Sequence, residues 1–273
     1  MPRFMTTVLV TVLCCFAAIF FLVKHLEHTA VFFPGKVIST TPAHAGLSYE
    51  DLSITTSDGI KINTWLVKAP VGNASTIIFA HGNAGTMSER VMKIKFFHDL
   101  GFNVLIFDYR GYGKSQGRPT EGGVYKDAQA VYDYLQTRTD IDRSRIIAYG
   151  ASLGGVVAID LASKRKVAGL VVESSITSAY DMARRLYPSL PSWMMSVKFD
   201  SLFKVGKITV PKLFLHSRQD EVVPFSMGHK LYEAAAQPKS FIEISGGHND
   251  GVFITDPSVR EEFRKFLMNY SFL

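Results

Sequence analysis

The chain has 273 residues, of which 47% are hydrophobic and 20% charged, with a formal net charge of +6. That balance excludes a disordered or low-complexity chain and suits one large domain. Its two cysteines, Cys14 and Cys15, both fall in one apolar run, so the rest of the chain can build neither a disulfide framework nor a thiolate site.

That apolar run comes first in chain order. Residues 4–23 read FMTTVLVTVLCCFAAIFFLV, 20 residues without a charge. At about 1.5 Å per residue they span roughly 30 Å, a bilayer core, and the expectation is a single-pass membrane helix. A buried helix would carry more polar positions. A signal peptide would need small residues soon after the run, and the nearest Ala-x-Ala, Ala43-His44-Ala45, is far downstream. Arg3 lies before the run and Lys24 and Lys36 after it, a weak bias that leans toward an extracytoplasmic catalytic domain. Residues 31–47, with Pro34, Gly35, Pro42 and Gly46, read as an extended linker from the membrane.

The catalytic domain is expected over residues 48–273. Residues 52–56 and 60–67 alternate around Ser57-Asp58-Gly59 and predict a hairpin. Short apolar runs then alternate with helical patterns. Strands are expected at 76–80, 103–107, 145–149, 169–173, 212–216 and 241–244. Helices are expected at 87–100, 123–136, 153–163, 227–236 and 258–270. Strands that are apolar throughout must be covered on both faces, so the fold class is α/β, a mostly parallel central sheet wrapped by helices. Residues 174–210 break the alternation; with Pro188, Pro191, Trp193, Met194 and Met195 they read as a cap insertion. That insertion would either receive an acyl chain or simply pack on the core. The basic clusters Lys164-Arg165-Lys166 and Arg184-Arg185 lack interleaved aromatics, so no nucleic-acid partner is expected; they read as solvated surface or as contacts to anionic headgroups.

The chemistry centres on Gly150-Ala151-Ser152-Leu153-Gly154, which fits G-x-S-x-G between a strand and a helix. A sharp strand-to-helix turn brings the positions flanking the serine together, and glycine there removes the collision. Ser152 is therefore the expected nucleophile. It needs a base, and the base needs an orienting acid. Among eight histidines, His248 lies in the glycine-flanked loop Ser245-Gly246-Gly247-His248-Asn249-Asp250 after the last strand and is chosen as base. Asp220 follows the penultimate strand and is the chosen acid, with Glu173 as an alternative. The order Ser, Asp, His is the one this kind of sheet uses. A tetrahedral oxyanion needs two N–H donors. The backbone of Leu153 supplies one, and the loop His81-Gly82-Asn83-Ala84-Gly85 the other, through Asn83 or else Ala84. Asp108-Tyr109-Arg110-Gly111-Tyr112-Gly113 reads as a tight loop in which Arg110 pairs with Asp108 or another acid, or touches substrate.

From about residue 32 to the C-terminus the chain resembles the α/β-hydrolases, in particular small membrane-anchored alpha/beta-hydrolase-domain proteins. The resemblance is carried by FFPGK, TPAHAGLSYEDLSITTSDGIKINTWLV, HGNAG, FDYRGYGKSQGRPTEGGVYKDA, GASLGG, FDS, HSRQDEVVP and GGHND. It implies an α/β-hydrolase fold, a triad on Ser152, Asp220 and His248, and an oxyanion hole on Asn83 and Leu153. Relatives in related branches act on lipid esters or on acyl thioesters of proteins. A hydrophobic span stands here where some carry a cysteine-rich, acylated N-terminus. The implied activity is hydrolysis of carboxylic esters or thioesters, without metal or organic cofactor. The same triad would serve a peptidase or amidase, and a non-catalytic scaffold on this fold is the reading from another class. The partners expected are an acyl substrate and a lipid bilayer; oligomeric state is not legible.

Overall fold

The computed structural model describes residues 2–189, 191–250 and 255–273. Helix α1, Pro2–Val31, comes first. Ten strands follow in chain order: β1 Phe33–Pro34, β2 Glu50–Thr55, β3 Lys61–Val67, β4 Thr76–Ala80, β5 Ala84–Gly85, β6 Asn103–Phe107, β7 Ile146–Ala151, β8 Gly169–Glu173, β9 Lys212–Ser217 and β10 Lys239–Ile244. The later helices are α2 Val91–Asp99, α3 Glu121–Thr137, α4 Leu153–Lys164, α5 Ala179–Leu186, α6 Ser201–Val205, α7 Phe225–Ala234 and α8 Pro257–Asn269.

Eight strands form one sheet in the order β10-β9-β8-β7-β4-β6-β3-β2. The pairs β2–β3 and β3–β6 are antiparallel and all others parallel, so the expected hairpin does lead into a parallel sheet. Its turn closes through Thr56 N–H to Ile60 O, with Gly59 at φ +81°. Every residue of β4, β6 and β8 is buried, and the period of two splits their side chains between two cores. Ile78, Leu105 and Phe107 join Val124, Val131 and Val156 from α3 and α4 on one face. Ile77, Phe79 and Ile106 join Phe97 of α2 and Phe263 of α8 on the other. With both faces roofed, the C-terminal ends of the parallel strands are where loops can project function.

Two expectations shift. The helix expected from residue 87 begins as a turn of 3₁₀ helix, Met87–Arg90, and turns α-helical only at Val91. Its start is fixed from a distance, because Met87 N–H is taken by Asp108 Oδ1 at 2.7 Å. Asp200 caps the short helix α6, accepting from Phe203 N–H. The segment 31–47 is extended but docked rather than free. Phe32, Pro42 and Leu47 are buried, and β1 pairs in parallel with β5. Gly113 N–H also donates to Gly35 O.

Residues Arg3–Leu22 within α1 are long and apolar enough to cross a membrane, and none of the described residues of that stretch is buried in protein. Lys24, His25 and His28 lie outside the described side chains.

Candidate active site

Ser152 sits at the junction of β7 and α4 with φ +56° and ψ −120°, a strained conformation for a residue with a side chain. The glycines explain how the chain gets there. A Cβ on Gly150 would stand 1.9 Å from Gly154 O, and one on Gly154 would stand 1.9 Å from Ala80 O. Three hydrogen bonds hold the turn: Ser152 N–H to Glu173 O at 2.8 Å, Ser175 Oγ–H to Ser152 O at 2.8 Å, and Gly155 N–H to Ser152 O at 3.0 Å. Both obstructions at the glycines are backbone atoms, which cannot swing aside. Gly154→Ala is therefore expected to destabilise the domain by more than about 4 kcal/mol. Gly122→Ala, on an exposed helical turn with open space around it, should change stability by under about 1 kcal/mol. Urea unfolding of the two variants checks the contrast.

The sheet topology brings two further side chains to the same rim. Asp220 follows β9 and His248 follows β10, and these strands are neighbours running in parallel. His248 Nδ1 lies 2.8 Å from Asp220 Oδ2, and His248 Nε2 lies 3.1 Å from Ser152 Oγ. Asp220 Oδ1 accepts from Val222 N–H at 3.0 Å and Val223 N–H at 2.7 Å. Burial opposes its charge, but hydrogen bonds from His216, His248 and the Val223 amide prevail and hold the carboxyl well below the usual carboxylate range. An ionised Asp220 requires a proton on Nδ1 of His248, which leaves Nε2 as acceptor for the Ser152 hydroxyl. The imidazole is placed by its own backbone too, His248 N–H donating to Glu221 Oε2 at 3.0 Å.

Similarity to known proteins supports the fold. The chain is 38% identical over 237 residues to the Arabidopsis thaliana alpha/beta hydrolase domain-containing protein WAV2, covering 79% of this chain and 77% of that one. The chain belongs to the α/β-hydrolase superfamily. A protein of Mycobacterium tuberculosis is 34% identical over 220 residues, 80% of this chain and 78% of its own. Residues 73–202 match the family described as "Serine aminopeptidase, S33". Among solved structures, a Pyrococcus furiosus esterase superposes with a TM-score of 0.73 at 26% identity, covering 87% of this chain and 98% of the esterase.

The hydrolase presents a cleft of about 440 Å³ in front of Ser152. Gly82 closes its floor, where a Cβ would lie 3.7 Å from that of Ser152. The neighbouring loop is pinned at its carbonyls. His81 Nδ1 lies 2.7 Å from Gly82 O, and Asn83 O accepts from Tyr112 Oη–H at 2.7 Å and Phe33 N–H at 3.0 Å. In a trans peptide N–H and C=O point in opposite directions. A Gly82 carbonyl turned toward His81 thus turns Asn83 N–H away from that ring. Leu153 N–H is the first of α4 and has no acceptor within the helix. Phe33, Phe79, Met92 and Val222 supply the apolar wall.

The structure sorts the remaining candidates. Glu173 does not reach His248; its carboxylate binds Lys93 Nζ at 2.8 Å and Tyr149 Oη. Arg110 pairs with Asp58 and Asp127 and not with Asp108, bracing the hairpin turn against α3. Of residues 174–210, Ser174 alone among those described lines the cleft, and Trp193 is 68% exposed. Trp193 thus does not pack on the core, whereas Met195, Val197 and Phe199 of the same insertion do. Sequence reading passed over His216, whose Nε2 is 3.4 Å from Asp220 Oδ2 and 3.0 Å from Val223 O. Its spacing of four from Asp220 was the available signal. Among the described residues no group of three or more His, Cys, Asp or Glu is placed to hold a metal.

Proposed function

We propose that the protein is a membrane-anchored serine hydrolase that cleaves carboxylic esters or thioesters through an acyl-Ser152 intermediate. The observation that carries the reading is the continuous chain Ser152 Oγ, His248, Asp220, with links of 3.1 and 2.8 Å. His248 takes the Ser152 proton as Oγ attacks the carbonyl carbon. The Asn83 and Leu153 amides receive the oxyanion, an interaction typically contributing about 3 kcal/mol per donor to the transition state. Collapse breaks the bond to the leaving oxygen or sulfur, which takes the proton from His248. Water, deprotonated by the same imidazole, then releases the acid and restores Ser152. Asp220 holds the ring and balances its positive form. The 20-residue apolar segment Arg3–Leu22 is the anchor.

The family description keeps an aminopeptidase as the second reading. Such an enzyme must meet a substrate ammonium with a carboxylate. The cleft carboxylates Glu89 and Glu173 are already paired with Arg90 and Lys93, at 3.9 and 2.8 Å, which favours uncharged acyl groups. A fluorophosphonate probe is expected to form an adduct mapped by mass spectrometry to Ser152. Hydrolysis of p-nitrophenyl acetate should outrun that of acetyl-p-nitroanilide by at least about 100-fold, a difference of about 3 kcal/mol in barrier. A faster anilide would favour the peptidase reading. A folded protein with an unlabelled Ser152 would favour the scaffold.

A further inference from the structure

α1 does not end in slack chain. It stays helical to Val31, whose carbonyl accepts from Asn83 Nδ2 at 3.1 Å. Phe32 then enters the core, 4% exposed, with its ring edge-on to Phe199 of the 174–210 insertion at 6.1 Å. Phe33 N–H binds Asn83 O, and the Phe33 ring lines the cleft. The apolar span and the loop beside Ser152 are thus joined by one continuous helical rod.

The length of that rod is short. From the last residue of the apolar segment to Val31 is nine residues, or roughly 13 Å of helix. The headgroup layer on one side of a bilayer is roughly 5–8 Å deep. Val31 therefore stands roughly 5–8 Å beyond the headgroup layer, a gap comparable to the reach of one long side chain on the cleft rim.

The surface around the rod has the matching chemistry. Three residues of the cleft wall are also exposed: Phe33 at 50%, Met92 at 64% and Val222 at 40%. The insertion that receives Phe32 also exposes Tyr187, Trp193, Arg184 and Arg185. Amphipathic aromatics and cations are what a bilayer interface favours.

We propose that the cleft opens onto the bilayer that α1 crosses, with Phe33, Met92 and Val222 seated in its headgroup layer, so that the substrate is an acyl ester or thioester resident in that membrane. This rests on the anchor and esterase readings above.

The test uses the full chain in phosphatidylcholine vesicles, with Cys14 and Cys15 replaced by serine. Single nitroxide labels are placed through Leu13→Cys, Met92→Cys, Val222→Cys and Ser144→Cys. Ser144 is exposed just before β7, at the opposite edge of the sheet. Collision with oxygen and with a water-soluble nickel chelate reports depth. The expected order is position 13 in the hydrocarbon, 92 and 222 in the interface, and 144 in water. Position 13 in lipid with 92 and 222 as aqueous as 144 overturns the proposal and leaves the anchor standing. Position 13 in water removes the anchor and the proposal with it. An activity arm inserts eleven helical residues after position 28, lifting the cleft by roughly 16 Å while nearly keeping its rotational phase. Turnover of a vesicle-resident long-chain p-nitrophenyl ester should fall about tenfold with loss of the surface's effective concentration, with p-nitrophenyl acetate within about twofold. Equal rates on the long ester before and after insertion overturn the proposal. Absence of acetate hydrolysis in the parent protein counts against the esterase reading, and the labels still decide where the cleft faces.

Discussion

Ser152→Ala is expected to lower kcat on p-nitrophenyl acetate by about 10⁵-fold, with the melting temperature little changed. The size follows from the proposed mechanism, in which Ser152 Oγ is the atom that forms the covalent bond and the one 3.1 Å from His248 Nε2. The fold should survive, because the bonds that hold this turn run through backbone groups: Ser152 N–H to Glu173 O, and Ser152 O from Ser175 and Gly155. His248→Ala should cost nearly as much, and the double variant scarcely more than either single one, since nucleophile and base act as one unit. Residual hydrolysis would come from the Asn83 and Leu153 amides and from binding. Titration with a fluorophosphonate separates the two singles, because Ser152→Ala cannot form the adduct at all whereas His248→Ala forms it slowly. A Ser152→Ala variant with unaltered kcat would remove the acyl-serine mechanism.

The parts of this site that were legible are those whose physics is local. Gly150 and Gly154 are forced by contacts within a five-residue turn, so the motif alone gives the elbow. Asp220 and His248 follow from chain order once the parallel strands are recognised. What was hidden depends on distant partners. His216 reaches Asp220 in a packed corner where Gly228 of α7 leaves room for the ring; a Cβ there would stand 2.0 Å from His216 Nδ1. Nothing in the pattern near His216 signals that vacancy. The docking of residues 31–47 rests on a two-residue strand pair with a loop about 50 positions away, too short to leave a periodicity. The helix expected at residue 87 opens as a 3₁₀ turn capped by Thr86 and tied to Asp108, 21 positions on, a contact that leaves no mark on the local pattern. Trp193 shows the converse, since apolar composition gives no information on whether the partner is core or solvent.

Asp220→Asn is expected to lower kcat by about 10⁴-fold while leaving KM for a short ester within a few-fold. The carboxylate is a pure acceptor with four nitrogens converging on it: Val222 and Val223 N at Oδ1, and His248 Nδ1 and His216 Nε2 at Oδ2. An asparagine supplies one acceptor oxygen. If that oxygen faces the two amides, the NH₂ faces His248 and reverses the ring's tautomer, presenting an N–H to Ser152 in place of a lone pair. If it faces His248, the NH₂ confronts two amide donors. The first arrangement satisfies more partners, so the protein should fold and the chemistry should fail. The variant also isolates the acid dependence of stability. Asp220 titrates well below its unfolded value of about 3.9, so its contribution is complete above that pH and is lost as pH falls through the folded value. Urea midpoints of wild type and Asp220→Asn should therefore differ most near pH 6 and converge as the pH drops toward about 2, below the unfolded carboxyl range. A gap that stayed constant across that window would mean that Asp220 is not the ionised partner of His248, and the orientation of the imidazole would need another source.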